Sequence, residues 1–291
     1  MEKTFEEYRK AAEQGDAEAQ FYLGNCYYDG EGVAKDEIQA VHWYKKAAEQ
    51  GLVEAQYDLG ICYENGIRIA KDETQAVYWY KKAAEQGLPD AQYNLGGCYA
   101  NGTGIAKNEE QAAYWYQRAA EQGHTDAQNN LGVCYEQGAG IAKDKKQAVY
   151  WYKKAAEQED AYAQNNLGAC YDNGQGIAKD ETQAAYWYKK AAEQGHADAQ
   201  FNLGACYFHG NGVEKDEKQA VDWFKKAAEQ GQADAQSSLS SCYYYGYGVT
   251  RDEAQSTYWY KKEREQRRAD LALSNNHNNV EEKELTQIIN N

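Results

Sequence analysis

The sequence predicts an all-α protein, an α/α superhelical solenoid of seven 36-residue helix-turn-helix repeats with a helical cap at each end. Two observations support this fold class. All seven tryptophans and all seven cysteines recur at intervals of 36 residues. The segment QAVYWYKKAAEQG at 75–87 also returns, with a single change each time, at 147–159 and 183–195. A fixed period of this length indicates stacked units, each of which needs its neighbours to cover an apolar face.

Each repeat predicts two helices joined by a short loop, as residues 52–87 illustrate. Ala55, Leu59 and Cys62 follow the spacing of an apolar helical stripe, and Gly66 ends that first helix. The second helix begins at an acidic or Asn cap that is followed three residues later by Gln. The cap and Gln pairs are Asp36/Gln39, Asp72/Gln75, Asn108/Gln111, Asp144/Gln147, Asp180/Gln183, Asp216/Gln219 and Asp252/Gln255.

Three kinds of position depart from ordinary helix and turn chemistry. Gly60 and its equivalents lie inside the first helix, where glycine costs about 1 kcal/mol relative to alanine. Their retention in six repeats predicts close backbone approach between the paired helices, and the seventh repeat has Ser240. Arg68 replaces the second glycine of a turn, which predicts a distorted turn. Glu159 replaces the glycine that closes the second helix. Either it keeps the left-handed geometry at a cost of about 1 kcal/mol, or the angle between repeats four and five changes.

The predicted organisation has three parts. Residues 1–15 form an N-terminal capping helix, and residues 16–267 form the seven repeats as one continuous solenoid. Residues 268–291 form a helical extension, to about Ser274, and a weakly ordered tail. The segment SNNHNN at 274–279 is typical of a linker between the two.

Charge and hydropathy exclude several classes of function. The net charge of −15 disfavours nucleic acid as a partner, because phosphate backbones require clustered Lys and Arg. No apolar run approaches the roughly 20 residues of a membrane span. The opening MEKTFEEYRK lacks the apolar centre of a signal peptide. We therefore expect a cytoplasmic protein, with export by a signal-less system into a host as the open alternative.

The cysteines predict neither a disulfide nor a metal site. Each repeat has one, and equivalent positions about 10 Å apart exceed the roughly 7 Å limit between α-carbons for a disulfide. Metal sites need ligands close together in sequence, such as CxxC, and the chain has no such cluster. The expectation is a small buried side chain in each hairpin, and no cofactor.

The repeat pattern A-Q-x-x-L-G-x-x-Y, followed by G-x-G-[VI]-x-K-D and Q-A-x-x-W-Y-x-K-A-A-E-Q-G, resembles the Sel-1-like repeat, a relative of the tetratricopeptide repeat. The resemblance implies adaptor or scaffold work in protein complexes, often in bacterial signalling or host contact. A cysteine-rich bacterial branch carries two bridged cysteines per repeat and is linked to β-lactam binding or hydrolysis. This chain has one cysteine per repeat.

Positions that vary between the repeats share one face of the first helices, and resemblance to tetratricopeptide arrays implies that this face lines a concave groove. The first helices contain acids and no Lys or Arg, so the groove is expected to be electronegative. We expect it to bind a protein or peptide segment with basic and apolar side chains. The candidate partner-binding residues are Phe21, Asn25, Tyr28, Asp29, Tyr57, Asp58, Glu64, Asn65, Tyr93, Asn94, Asn129, Asn130, Asn165, Asn166, Phe201, Asn202, Phe208 and Tyr244.

The sequence leaves alternatives open. Phe201 and Phe208 could instead fill gaps between repeats. An outer row of tyrosines could be a second surface or simply lie across adjacent helices; it comprises Tyr78, Tyr114, Tyr150, Tyr186 and Tyr258. No catalytic constellation stands out, so the chain is expected not to be an enzyme. A β-lactam-related hydrolase and a purely structural array are the alternatives to a binding scaffold.

Overall fold

The computed structural model describes residues 4–289, with side chains through Ala272. Residues 1–3 of the expected cap and residues 290–291 of the expected tail lie outside this part of the chain. The chain divides into two compact units, Met1–Lys154 and Ala155–Asn291. The boundary falls within the ninth helix, and each unit is described by itself below.

The described residues form fifteen α-helices and no strand, and within each unit consecutive helical hairpins stack on one another. An N-terminal helix α1 (Phe5–Glu13) precedes the hairpins. The first helices of the hairpins are α2 (Ala17–Asp29), α4 (Val53–Asn65), α6 (Pro89–Asn101), α8 (Thr125–Gln137), α10 (Ala161–Asn173), α12 (Ala197–His209) and α14 (Ala233–Tyr245). The second helices are α3 (Glu37–Glu49), α5 (Glu73–Glu85), α7 (Glu109–Glu121), α9 (Lys145–Glu157), α11 (Glu181–Glu193), α13 (Glu217–Glu229) and α15 (Glu253–Ile289). The predicted all-α repeat fold is confirmed.

The hydrophobic core repeats with the hairpins. One cluster joins α5 of the second hairpin to α6 of the third. Tyr80, Ala83 and Leu95 are fully buried in it, and Trp115 of the third hairpin packs against the cluster. Each hairpin therefore covers apolar surface of its neighbour within the unit, which is how a helix pair too small for its own core becomes stable. All seven cysteines are buried free thiols, as the sequence predicts.

The caps of the second helices follow the sequence prediction in part. Asp72 Oδ1 accepts a hydrogen bond from the backbone nitrogen of Gln75 at 3.0 Å. The same contact recurs at Asp36, Asn108, Asp144, Asp180, Asp216 and Asp252. The reciprocal contact of a full capping box would run from the Gln side chain to the cap backbone nitrogen. In the fifth and sixth hairpins the Gln side chain does not bond the cap nitrogen. In the sixth, Gln219 Nε2 donates to the Asp216 carboxylate at 3.0 Å instead.

The glycines inside the first helices accommodate an aromatic ring of the paired helix as well as its backbone. A Cβ on Gly60 would lie 2.6 Å from the Tyr80 ring, and one on Gly96 would lie 2.7 Å from the Tyr116 ring. At Gly24 and Gly168 a Cβ would also lie 3.3 Å from a backbone carbonyl of the second helix, so the expected close backbone approach is present there, but the ring lies nearest. In the last hairpin the corresponding Tyr260 is exposed, and Ser240 Oγ donates to the carbonyl of Ser256 at 2.9 Å.

Buried glutamines join consecutive hairpins, a role that the sequence analysis did not assign. Gln92 is fully buried, and its Nε2 donates to the carbonyl of Ala84 in the preceding helix at 3.1 Å. Gln122 Nε2 in turn donates to Gln92 Oε1 at 2.8 Å. The bond to a preceding alanine carbonyl recurs at Gln20, Gln56, Gln128, Gln164, Gln200 and Gln236.

The turn that contains Arg68 is not distorted. Arg68 has φ +53°, close to the φ of +67° to +70° at Gly32, Gly104 and Gly140. At Gly104 a Cβ would collide with the backbone of Glu73. The Arg68 side chain forms a salt bridge with the preceding hairpin, from its Nε to the Glu37 carboxylate at 2.9 Å. The prediction of a distorted turn is wrong, because Arg68 adopts the left-handed conformation that its equivalents have.

Glu159 also adopts the left-handed conformation, with φ +67°. Its equivalents Gly51, Gly87 and Gly195 have φ between +93° and +102°, and a Cβ on any of them would meet no atom within 4 Å. The first of the two expectations is thus confirmed. Backbone strain, and not a collision, is the cost of the glutamate.

We therefore expect Glu159→Gly to raise the free energy of unfolding by about 1 kcal/mol, because glycine adopts positive φ without the Cβ penalty. A shift of the urea midpoint to higher concentration at unchanged slope would measure this. Lys153→Gly is the control, since it places glycine at an exposed position inside α9 and should destabilise by about 1 kcal/mol. Equal destabilisation by both changes would contradict the strain at Glu159.

The C-terminal helix differs from expectation. α15 spans 37 residues, Glu253–Ile289, and passes through the segment 274–279 that the sequence predicts as a linker. Asparagine is a mediocre helix former with a modest penalty per residue, whereas starting a helix is the costly step. Continuing an established helix through the Asn-rich segment therefore costs little.

Candidate partner-binding surface

The predicted binding residues lie on the first helices and their C-terminal ends, and we call them the first-helix surface. In the first unit they are Phe21, Asn25, Tyr28, Asp29, Tyr57, Asp58, Glu64, Asn65, Tyr93, Asn94, Asn129 and Asn130. In the second unit they are Asn165, Asn166, Phe201, Asn202, Phe208 and Tyr244. Most are half-buried, and Tyr28, Asp29, Asn65 and Tyr244 are exposed.

Aromatic residues of this surface pack against the second helix of their own hairpin. The Tyr57 ring lies 5.9 Å from the Tyr80 ring, and the Tyr93 ring lies 6.0 Å from the Tyr116 ring. Phe21 with Tyr44 and Phe201 with Phe224 repeat the arrangement at 5.8 Å. Each first-helix ring is therefore half-buried, so one part of it stabilises the hairpin and the remainder is accessible.

Asparagine amides connect neighbouring first helices. Asn202 Nδ2 donates to Asn165 Oδ1 at 3.0 Å. Burial raises the pKa of the Tyr57 hydroxyl and the Asn94 amide of the next hairpin lowers it, so the two groups are close. Asn130 has the same effect on the Tyr116 hydroxyl. These amides hold the face of the hairpins together, and their remaining donor and acceptor positions can bind a peptide backbone.

Asp58 occupies the position that asparagine has in the next four repeats. Burial, which penalises the carboxylate, and to a lesser extent nearby Glu54 raise its pKa to about 6. A cation placed beside Asp58 would reverse this shift by stabilising the charged form. Asp58 is thus a partly desolvated carboxylate whose charge a basic ligand would favour.

The acids late in the first helices have a structural partner that the sequence analysis missed. The Tyr80 hydroxyl donates to Glu64 Oε2 at 2.6 Å, and the Tyr152 hydroxyl donates to Glu136 Oε2 at 2.7 Å. In the first hairpin the Tyr44 hydroxyl donates to Asn25 Oδ1 at 2.8 Å instead. In sequence the acid precedes the tyrosine by 16 residues, and only the closed hairpin shows that the two side chains meet.

The exposed members of the surface lie near the loops. Lys35 Nζ lies 5.0 Å from the centre of the Tyr28 ring, and Arg251 lies 5.5 Å from that of Tyr244. Asn65 Nδ2 donates to the Ile61 carbonyl at 3.0 Å, so part of its amide is used within its own helix. Cations therefore lie beside this end of the first helices although the helices themselves contain neither Lys nor Arg.

One cavity in the first unit gathers part of the surface. Its volume is about 240 Å³, and Glu64 of α4, Tyr93 and Asn94 of α6 and Asn130 of α8 line it. Three consecutive first helices thus contribute a carboxylate, a phenol and two amides to one space. A second cavity, in the second unit, is lined by Phe201 and Phe208 together with residues of α14.

The histidines that the repeats place at equivalent positions are helix caps. His124 Nδ1 accepts from the backbone nitrogen of Ala127 at 3.3 Å, and His196 Nδ1 accepts from that of Ala199 at 3.2 Å. Burial lowers the pKa of His196, which favours the neutral form that can accept at Nδ1. A capping role accounts for both residues.

The outer tyrosines stand beside the tryptophan that follows each of them in the chain. The Tyr78 ring stands edge-on to that of Trp79 with centroids 4.9 Å apart, and Tyr114, Tyr150, Tyr186 and Tyr258 do the same at 5.0 Å. About half of each side chain is exposed. Both alternatives for this row, a second surface and rings that lie across adjacent helices, stay predictions.

Two further features of the described residues bear on other functions. Through Ala272, no group of three or more His, Cys, Asp or Glu side chains is arranged to hold a metal ion. Among the helices of the described chain, none has the length and apolar character needed to cross a membrane.

Stacked helical hairpins of constant length, joined by buried side chains, define an α-helical repeat protein whose class commonly serves as a scaffold for protein interactions. The sequence profile of the Sel1 repeat matches residues 8–16, 17–52, 53–88, 89–124, 125–160, 161–196, 197–232 and 233–262. The chain belongs to the Sel1 repeat family. No curated protein matches it.

Two solved structures resemble the whole array. One is c5321, a protein with an SLR fold that is a protective antigen present in uropathogenic Escherichia coli strains. It is 39% identical to this chain, with a TM-score of 0.83. The match covers 91% of this chain and 57% of c5321, so the chain spans little more than half of that protein. The other is a Sel1 repeat protein from Oxalobacter formigenes, with 34% identity, a TM-score of 0.72, and coverage of 90% and 75% respectively.

Proposed function

We propose that this chain is a non-catalytic protein-interaction scaffold that binds a peptide segment with basic and apolar side chains on its first-helix surface. The cavity lined by Glu64, Tyr93, Asn94 and Asn130 is the observation that carries the proposal. It combines an acid for a cationic side chain, an aromatic ring for an apolar one and amides for a peptide backbone.

Charge supports a basic partner. The first helices have no Lys or Arg, and Asp58 is a carboxylate that burial holds at a pKa of about 6. A Lys or Arg side chain of the partner would stabilise the ionised form of Asp58 and screen its repulsion from Glu54. An acidic partner would add repulsion to a chain of net charge −15.

The groups that most often act in catalysis have structural roles here. Burial raises the pKa of the Cys62 thiol to about 12 and that of Cys134 to about 11, which disfavours a nucleophilic thiolate. His124 and His196 cap helices. These contacts support a non-catalytic scaffold, and hydrolysis of nitrocefin by the purified protein would contradict this part of the proposal.

A fluorescein-labelled peptide of alternating Lys and Leu tests the binding surface by fluorescence anisotropy. We expect its affinity to fall at least about tenfold between 0.05 M and 0.5 M salt, since exposed charge pairs are screened over a few ångströms at the higher concentration. Affinity should also fall as the pH decreases from about 8 to about 5, because Asp58 becomes protonated and loses its charge.

A matched pair of double variants separates this surface from nonspecific attraction. Asp58→Asn with Glu64→Gln should weaken binding at least about threefold and flatten the pH dependence, since two charges that face the ligand are removed. Both changes preserve hydrogen-bond acceptors. Glu49→Gln with Glu85→Gln changes the net charge equally on exposed positions of second helices and should leave binding unchanged. Equal losses in both variants, or no salt dependence, would overturn the proposal.

A further inference from the structure

The cavity in the second unit has a different chemical character from the one around Glu64. Its volume is about 360 Å³, within the range of about 300–1,000 Å³ typical of ligand pockets. Phe201, Phe208 and Phe224 form one wall, with Ala205 between them. The opposite wall belongs to α14, and the aromatic residues Tyr245 and Tyr247 stand at the mouth with 64% and 41% of their surface exposed.

The phenylalanine wall replaces a polar pair that other hairpins keep. At the positions of Phe208 and Phe224, the second hairpin has Glu64 and Tyr80, joined by a hydrogen bond of 2.6 Å. The fourth hairpin has Glu136 and Tyr152, joined at 2.7 Å. In this hairpin both the acid and the phenol hydroxyl are absent, and the Phe208 and Phe224 rings lie 6.4 Å apart. Both polar groups are lost together, so the wall remains apolar without a buried acceptor left unpaired.

Small residues on α14 create the space. Ser237 stands where α2, α4, α6 and α12 have Phe21, Tyr57, Tyr93 and Phe201. Ser241 Oγ donates to the Ser237 carbonyl at 3.1 Å. The hydroxyl proton of Ser241 is therefore used within the helix. An aromatic residue at 237, as in those four helices, would occupy volume on this side of the cavity.

No Asp, Glu, Lys or Arg lines this cavity in the described structure. Its polar contributors are the serine hydroxyls, the His209 ring and the two tyrosines at the mouth. The Phe208 ring already makes an edge contact with Tyr247, with centroids 5.6 Å apart and planes at 76°. A flat, uncharged ring entering the cavity would meet ring faces and edges in the arrangements that aromatic pairs favour.

We propose that the cavity between α12 and α14 binds an aromatic side chain of the peptide partner, which deepens the proposed function and rests on it. A peptide source is favoured because Phe201 and Phe208, which line the cavity, belong to the first-helix surface on which the proposed peptide binds. A peptide on that surface passes the cavity, where an aromatic side chain can enter. The cavity therefore supplies specificity, while the acids supply attraction for the cationic side chains.

Ligand-observed NMR with blocked amino acids tests the cavity directly. N-acetyl-tryptophanamide and N-acetyl-phenylalaninamide should give saturation-transfer signals with the full-length protein. Ser237→Phe fills the space with a residue that this position carries elsewhere in the array, so the hairpin should still fold. It should weaken binding of the aromatic probes at least about tenfold and leave any signal from N-acetyl-lysinamide, which binds the acidic surface, unchanged. Absence of aromatic signals, or an equal loss of the lysine signal in Ser237→Phe, would overturn the assignment.

A second variant and a control keep the result interpretable if Ser237→Phe unfolds. Phe208→Glu with Phe224→Tyr restores the polar pair of the second hairpin and should abolish the aromatic signals. Lys189→Phe adds a ring at an exposed position of α11 and should leave them unchanged. Circular dichroism melting of each variant checks the fold. Unchanged signals in both cavity variants would place the probes elsewhere and overturn the proposal.

The peptide assay distinguishes failure here from failure of the proposed function. Replacing one Leu of the Lys/Leu peptide with Trp should tighten binding to the wild type at least about threefold. Ser237→Phe should remove that gain while leaving the parent peptide's dependence on Asp58 intact. If the gain in affinity persists in Ser237→Phe, only the proposed aromatic cavity is contradicted. If the wild type shows no salt-dependent binding, the proposed scaffold surface is contradicted.

Discussion

Gly96→Ala is expected to lower the free energy of unfolding by about 1–3 kcal/mol, the usual cost of adding a methyl group to a filled core. The new Cβ would lie 2.7 Å and 2.8 Å from two carbons of the Tyr116 ring. That ring is buried and packs against Tyr93, so it has little room to move away. A decrease in the urea midpoint at unchanged slope would measure the effect.

Gly97→Ala, at the next residue of the same helix, provides the matched control. A Cβ there would meet only the Tyr116 hydroxyl oxygen, at 3.9 Å, which is ordinary contact. Because alanine favours the helix by about 1 kcal/mol over glycine, this change should be neutral or stabilising. Gly96→Ala combined with Tyr116→Leu should cost less than the sum of the two single changes, since the ring that collides has been removed. Stabilisation by Gly96→Ala would show that helix propensity outweighs the ring contact.

The glycine shows what the sequence could and could not predict about the fold. Retention of Gly60 and Gly96 indicated a close neighbour, because mid-helix glycine is costly unless something needs the space. The periodicity also gave the helices, their caps and the buried face. It could not identify the neighbour, since choosing between a backbone and the ring of Tyr80 requires the rotation of one helix about its axis relative to the other.

The same limit applies to the candidate site. Comparing repeats identified variable positions such as Asp58, Asn94 and Phe208, because packing positions scarcely change. It did not indicate that Tyr80 bonds Glu64, or that the pair becomes Phe224 and Phe208 four repeats later. Pairs 16 residues apart meet only once the hairpin has closed, so their meaning depends on tertiary structure.

The linkage between hairpins leads to the second large effect. Gln92→Leu should destabilise the protein by about 1–3 kcal/mol, because it removes a donor and an acceptor from a site without access to water. Gln92 Nε2 bonds the Ala84 carbonyl of the preceding hairpin, and Gln92 Oε1 accepts from Gln122 at 2.8 Å. Leucine fills a similar volume, so a measured loss reports mainly the hydrogen bonds. Urea unfolding followed by tryptophan fluorescence would measure it.

Gln236→Leu is the comparison that isolates the acceptor. Gln236 Nε2 donates to the Ala228 carbonyl at 3.1 Å as Gln92 does to Ala84, but its buried Oε1 accepts no hydrogen bond. Burial of that oxygen without a partner already lowers the stability of the wild type, and substitution by leucine removes this penalty. Gln236→Leu should therefore destabilise less than Gln92→Leu by about 1 kcal/mol, roughly one net hydrogen bond. If the two substitutions cost the same, the bond from Gln122 contributes nothing, and the alanine carbonyl contact alone links one hairpin to the next.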